Sequence, residues 1–286
     1  ASRNWEGCCC ALQERMGGRY LLCIACIVCW HAADVAAFQT PAFPRPNGKA
    51  PVPHPPRYRG HPPGLLRRLV AQQQASDKQP LIPPGPWGKY LATMAACGAA
   101  LGPCLDGYHS AFGVLKYTNP IPIGLAGVRF LETDWWVPPL FSLAAVILAV
   151  AYPLLDALFG VREADRAPSG PSVLACVGYF CLQYWSSGLL FSQGASLPTI
   201  NAFLAATAAA CLALFDRTPT GLVMAVVTGV AGPLVEVGLL VGWPAITGSP
   251  LYAYSQPDFL GVIPFWIVWV YGCGAPAVGN LGRGVF

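Results

Sequence analysis

Trp135 to Gly160 reads WWVPPLFSLAAVILAVAYPLLDALFG, a tract in which Asp156 is the single charged side chain. About 20 apolar residues, at about 1.5 Å of helix each, cross a hydrocarbon core of about 30 Å, so this tract is long enough to span a membrane. Pro138 and Pro139 suit the first turn of a helix, where a missing N–H costs nothing. Trp135 and Trp136 are placed to anchor that turn at the membrane interface. Working outward from this span, five further tracts have the required length and apolarity, at 89–113, 172–192, 196–215, 220–243 and 259–282. The fold predicted is all-α, a polytopic bundle of six transmembrane helices.

Charge agrees with that reading and orients it. From residue 90 onward the Lys and Arg are Lys116, Arg129, Arg162, Arg166, Arg217 and Arg283. Charged residues are far sparser there than the roughly 25% of soluble domains, which excludes an ordinary soluble fold. Arg162 and Arg166 follow the second span, Arg217 the fourth and Arg283 the sixth, all on the side of the basic N-terminal region. The positive-inside rule makes that side cytosolic, or its organellar equivalent, with both ends of the bundle inside. The excess positive charge is therefore a topology signal, not a patch for nucleic acid.

Residues 1–38 combine Arg3, Arg15 and Arg19 with the short apolar run Leu21–Trp30 and read as a targeting or signal-like segment. Residues 39–88 are rich in Pro and Arg and read as a disordered tether, because they cannot bury enough apolar surface to fold alone. Six of the twelve cysteines fall at Cys8, Cys9, Cys10, Cys23, Cys26 and Cys29, and the others are scattered singly in the spans. That is not a disulfide framework. Cys23-x-x-Cys26-x-x-Cys29 has metal-like spacing but lacks a fourth ligand nearby, so no metal is expected.

Four strings at span edges occur in a telling order: Trp135-Trp136-Val137-Pro138-Pro139; Tyr152-Pro153-Leu154-Leu155-Asp156; Phe215-Asp216-Arg217-Thr218-Pro219-Thr220-Gly221; and Pro257-Asp258-Phe259 with Gly279-Asn280-Leu281-Gly282-Arg283. Over roughly residues 88–286 the chain resembles the insulin-induced gene (Insig) family, whose members carry WWVPP, YPxxD, FDRSxSG and SPDF…GNIGR in that sequence. The resemblance implies a non-enzymatic six-helix protein of the endoplasmic reticulum. Such a protein binds oxysterols between its helices and retains sterol-sensing client membrane proteins. It further implies that Asp216, with Arg217 beside it, contacts the client.

Ionisable and polar groups inside spans are costly and usually face an interior cavity or a partner. Asp106 and His109 lie three apart on one helical face, either as a hydrogen-bonded pair at the water boundary or as a ligand-orienting or proton-transferring pair. Glu236 lies three residues past Pro233, whose absent N–H can free a carbonyl. The family shows a Thr-Gln pair near that place. Gln183-Tyr184 stand where relatives show Asn-His, and Thr218-Pro219-Thr220 replaces Ser-Arg-Ser. With Trp136 and Tyr152 from the edge motifs, Asp106, His109, Gln183, Tyr184 and Glu236 form the candidate ligand-binding set.

An apolar bundle with a few inward polar groups suits a sterol or another isoprenoid lipid as ligand, without a tightly held cofactor. Two other classes stay open. One is a pigment- or lipid-binding subunit of an organelle membrane complex, such as a chloroplast membrane. The other is an isoprenoid or sterol isomerase using His109 with Asp106 or Glu236.

Overall fold

The computed structural model describes residues 85–125, 128–162 and 167–286. The targeting-like segment at 1–38, nearly all of the tether at 39–88, and the Cys23–Cys29 run lie outside the described residues.

Among the described residues there are six helices: α1 (Trp87–Ala111), α2 (Val137–Leu158), α3 (Gly170–Ser192), α4 (Leu197–Phe215), α5 (Pro219–Thr247) and α6 (Ile267–Val285). They match the six apolar tracts with shifts of a few residues. The exception is the last, where α6 begins at Ile267 and the preceding segment closes instead through a bridge between Phe259 and Ile263. α2, α3, α4 and α5 are long and apolar enough to cross a membrane. α1 and α6 are also of spanning length but carry more of the small and polar groups that turn inward. Trp87 at the start of α1 packs edge-on against Phe286 at the end of α6, with ring centroids 5.1 Å apart, so the bundle starts and finishes at one end, as an even number of crossings requires.

Local chemistry explains the helix starts. Pro residues occupy the first turns of α2, α3, α4 and α5. Ser169, Ser196 and Thr218 cap α3, α4 and α5 by accepting backbone N–H bonds. α5 runs unbroken through Pro233.

α6 is the central post, packed against each of the other five helices. Its small residues make that possible. At Gly279 a side chain would strike the ring of Tyr152 from α2, so only the bare backbone lets that aromatic lie against the post. The outer faces carry exposed Leu143 and Ile147 on α2 and exposed Leu222, Val226, Val230 and Val241 on α5. Such apolar outer faces meet lipid, because no aqueous fold leaves so much greasy surface uncovered.

Two features outside the all-α expectation join the loops at the end opposite Arg283. Strand β2 (Ile121–Leu125) pairs antiparallel with β3 (Val128–Thr133) as a hairpin. Strand β1 (Leu115–Tyr117) pairs antiparallel with β4 (Tyr252–Tyr254), tying the α1–α2 loop to the α5–α6 loop. We call the β1–β4 end the outer end and the Arg283 end the inner end.

Candidate functional site

At the inner end, three of the four strings meet in one buried ion cluster. Arg283, in the last turn of α6, donates from Nε to Asp156 Oδ2 at 2.9 Å and from Nη2 to Asp156 Oδ1 at 2.8 Å. Its Nη1 pairs with Asp216 Oδ2 at 3.0 Å, and Nη2 also donates to Thr218 Oγ1 at 3.0 Å. The guanidinium lies over the Tyr152 ring, 5.2 Å from its centroid. The Arg283, Asp156 and Asp216 side chains are 6%, 2% and 0% exposed. Two carboxylates thus share one guanidinium in a desolvated setting, where every hydrogen bond to charge counts for more.

The loop between α4 and α5 is built around the same carboxylate. Asp216 Oδ1 accepts from the Thr218 hydroxyl at 2.6 Å and from the Thr218 N–H at 3.2 Å. Thr218 Oγ1 in turn accepts the Gly221 N–H at 3.0 Å, capping α5. A side chain at Gly221 would collide with the Asp216 carboxylate, which is the physical reason for glycine there. Asn280 donates to the Phe215 carbonyl at 3.0 Å, fastening α6 to the end of α4. Of the two residues expected to contact a partner, Arg217 is exposed and Asp216 is buried.

At the outer end, Asp106 and His109 do not bond to one another; each finds a different partner. Asp106 Oδ2 accepts from the Tyr117 hydroxyl of β1 at 2.5 Å. His109 Nε2 lies 2.8 Å from Ser187 Oγ on α3. Because the Ser187 hydroxyl donates to the Tyr184 carbonyl at 2.7 Å, it must accept from His109, which places the proton on Nε2. Nδ1 is then a bare acceptor, buried and without a hydrogen-bond partner among the described residues. The Tyr184 ring lies 4.8 Å from the imidazole and the Trp266 ring meets it edge-on at 5.6 Å.

Glu236 is held by three phenols. Tyr252 and Tyr254 of β4 both donate to Oε1, the latter at 2.6 Å, and Tyr271 of α6 donates to Oε2 at 3.2 Å. Burial, helped by the nearby carboxylate charges, holds the Tyr117, Tyr252 and Tyr254 phenols well above the usual tyrosine range, so they remain donors. Trp136 turns inward and stacks on Tyr252 at 5.3 Å, whereas of the two tryptophans expected to anchor the helix only Trp135 stays outside, 63% exposed. Gln183 donates to the carbonyls of Leu204 and Trp269, and its Oε1 has no partner among the described residues. Tyr152 belongs to the inner end, donating to the Ala275 carbonyl at 2.6 Å, far from the other candidates.

The candidate set therefore divides. Asp106, His109, Trp136, Gln183, Tyr184 and Glu236 face the outer half of the bundle, while Tyr152 joins Asp156, Asp216 and Arg283 at the inner end. The cysteines read as scattered include three that converge: Cys176, Cys211 and Cys273, one from each of α3, α4 and α6, are buried together as free thiols against Ala277. Among the described residues no group of three or more His, Cys, Asp or Glu is placed to hold a metal ion.

No family model matches the chain. Over 153 residues it is 29% identical to the insulin-induced gene 1 proteins of Xenopus laevis, Gallus gallus and Homo sapiens, a match covering 53% of this chain. The same match covers 56% of the Xenopus laevis protein and 51% of the human one, so the chain spans about half the length of the curated relatives it matches. Among solved structures, the mycobacterial Insig homologue MvINS from Mycobacterium vanbaalenii superposes with a TM-score of 0.53 at 20% identity. That superposition covers 68% of this chain and 92% of MvINS. A cross-linked MvINS trimer gives a TM-score of 0.51 at 23% identity. The chain is Insig-like in sequence and in fold.

The Insig-like strings owe their joint presence to geometry. YPLLD supplies Tyr152 and Asp156, FDRTPTG supplies Asp216, Thr218 and Gly221, and GNLGR supplies Gly279, Asn280 and Arg283. Each string is unremarkable alone, and together they complete one ion cluster. At the outer end of this Insig-like protein Gln183, Tyr184 and Glu236 are all turned inward.

Proposed function

We propose that this integral membrane protein is a non-enzymatic regulator of the Insig kind. On this reading it binds a sterol or related isoprenoid lipid between its helices and holds client membrane proteins in the endoplasmic reticulum membrane. The observation that carries the reading is the bare Nδ1 of His109. A buried acceptor is normally satisfied, and one left open at the centre of an apolar, aromatic surround is complementary to a lipid hydroxyl. Trp266 and Tyr184 flank it with flat apolar faces suited to a rigid ring system. The relatives' membership in the Insig family supports the same class of ligand and client.

Purification in mild detergent followed by mass spectrometry of the retained small molecules tests the ligand. A stoichiometric sterol, lost in His109→Ala, supports the reading; a pigment or quinone in its place overturns it in favour of an organelle complex subunit. For the client, Arg217 is the exposed member of the pair and Asp216 shapes its loop from within, so the reading expects Arg217→Ala to abolish association with a sterol-sensing membrane protein while ligand retention persists. Unchanged co-purification of the client with that variant refutes the role.

A further inference from the structure

Glu236 was read from the sequence as a ligand contact, but its oxygens are already engaged. Three phenols occupy the carboxylate, two of them from strand β4. A carboxylate offers about four acceptor positions, so little of it remains for a ligand. Asp106 plays the matching part on the partner strand, accepting from Tyr117 of β1. Two in-span carboxylates, one from α1 and one from α5, thus grip the two strands of the same ribbon.

The ribbon needs that grip. It consists of three facing pairs, Leu115 with Tyr254, Lys116 with Ala253 and Tyr117 with Tyr252, extended by the bonds Thr118 N–H to Leu251 O and Ser255 N–H to Val114 O. A two-stranded ribbon of this size is at best marginally stable alone. Its alternation is strict: Leu115, Tyr117, Tyr252 and Tyr254 are buried, whereas Lys116 and Ala253 are exposed. Everything that holds it to the bundle therefore lies on its inner face. Gly113 follows α1 with φ of +73° and Gly248 follows α5 with φ of +76°, so each helix ends at a left-handed glycine and the chain turns out of the helical path there toward its strand.

Beneath the ribbon lie the groups with unmet hydrogen-bonding capacity. Trp136 stacks directly under Tyr252, and its Nε1, the Nε1 of Trp266 and the Nδ1 of His109 all lack partners among the described residues.

We propose that the β1–β4 ribbon is a lid over the outer half of the bundle, and that Glu236 is its catch. Glu236 is a positioning residue: it closes the roof over the interior and does not touch what lies inside. Asp106 is a second catch on the other strand. What the lid admits rests on the lipid-binding reading above; the lid itself does not.

Hydrogen–deuterium exchange of the full chain in phosphatidylcholine nanodiscs tests it, comparing wild type with Glu236→Gln and with Tyr252→Phe/Tyr254→Phe. The double variant keeps both rings and removes only the two hydroxyls, and the helix peptides in the same experiment report whether the bundle stays folded. Exchange in peptides covering residues 113–118 and 250–256 is expected to rise at least tenfold in both variants, while peptides from α2, α4 and the Arg283 cluster keep wild-type rates. Unchanged ribbon exchange in the tyrosine double variant overturns the proposal, because packing alone would then hold the strands. Faster exchange throughout the helices overturns it equally, making Glu236 a support of the whole bundle. A parallel measurement of energy transfer from tryptophan to a fluorescent sterol separates the two readings. Faster ribbon exchange with no sterol uptake in any variant keeps the lid and removes the sterol.

Discussion

Removing the guanidinium of Arg283 is the sharpest test of how the inner end is held. In Arg283→Met the two carboxylates of Asp156 and Asp216 are left facing each other in a site where the side chains are 2% and 0% exposed. Breaking a buried pair by deleting one partner costs about 3–5 kcal/mol. Here the lost group serves Asp156 through two bonds, Asp216 through a third and Thr218 through a fourth, which argues for the upper half of that range. The converse changes are milder. Asp156→Asn leaves a one-to-one pair between Arg283 and Asp216, and the amide oxygen still accepts, so about 1–2 kcal/mol is expected from weakened charge-assisted bonds. The assay is thermal unfolding in detergent, followed by the fraction that stays monodisperse on gel filtration. With roughly 2–4 °C per kcal/mol for a protein of this size, Arg283→Met should lower the midpoint by about 8–20 °C. The decisive comparison places Arg283→Met in an Asp156→Asn/Asp216→Asn background, where no anion remains to be stranded. If the methionine costs as much there as in wild type, the charge reasoning is wrong and Arg283 acts by packing alone.

Thr218→Ala removes the cap of α5 and one support of Asp216, and should cost about 1–2 kcal/mol in the same unfolding assay, with Thr218→Ser close to wild type. Gly279→Ala drives a methyl group into the Tyr152 ring and should cost about 1–3 kcal/mol, relieved in part by Tyr152→Leu. Gln183→Leu removes donors to the Leu204 and Trp269 carbonyls, which join α3 to α4 and α6; slower mobility in unfolding gels or a lower midpoint should report it, and an unchanged midpoint would count against that bridge.

The spans were legible because lipid imposes a single requirement on every helix, a long enough apolar run, and Pro138 and Pro139 marked the start of α2. The inner end was half legible. Asp156, Asp216 and Arg283 each belonged to a recognisable string, but charge counting placed Arg283 only as a topology signal, and the shared cluster requires knowing that α2, the α4–α5 loop and α6 converge. The ribbon was not legible at all. Its strands are LKY and YAY, separated by more than half of the described chain, and three residues carry no periodicity to read. Glu236 and Asp106 could be flagged as costly in-span charges, but their partners are tyrosines on the ribbon and on α6 that only the fold brings to them. The convergence of Cys176, Cys211 and Cys273 was hidden for the same reason, since each thiol comes from a different helix.

The central position of α6 has a consequence for how the protein is made. In chain order it is the last of the described helices, yet it is the one that all the others pack against. The ribosome delivers α1 with α2 and α3 with α4 as neighbouring pairs that can associate on insertion, but their inner surfaces have no post to close upon until residues 267–285 enter the membrane. Through that interval Asp156 and Asp216 stand at the rim without their guanidinium, and Glu236 without Tyr271. A nascent chain halted before Ile267 thus carries Asp156, Asp216 and Glu236 short of the partners that α6 supplies, a costly state for carboxylates at membrane depth.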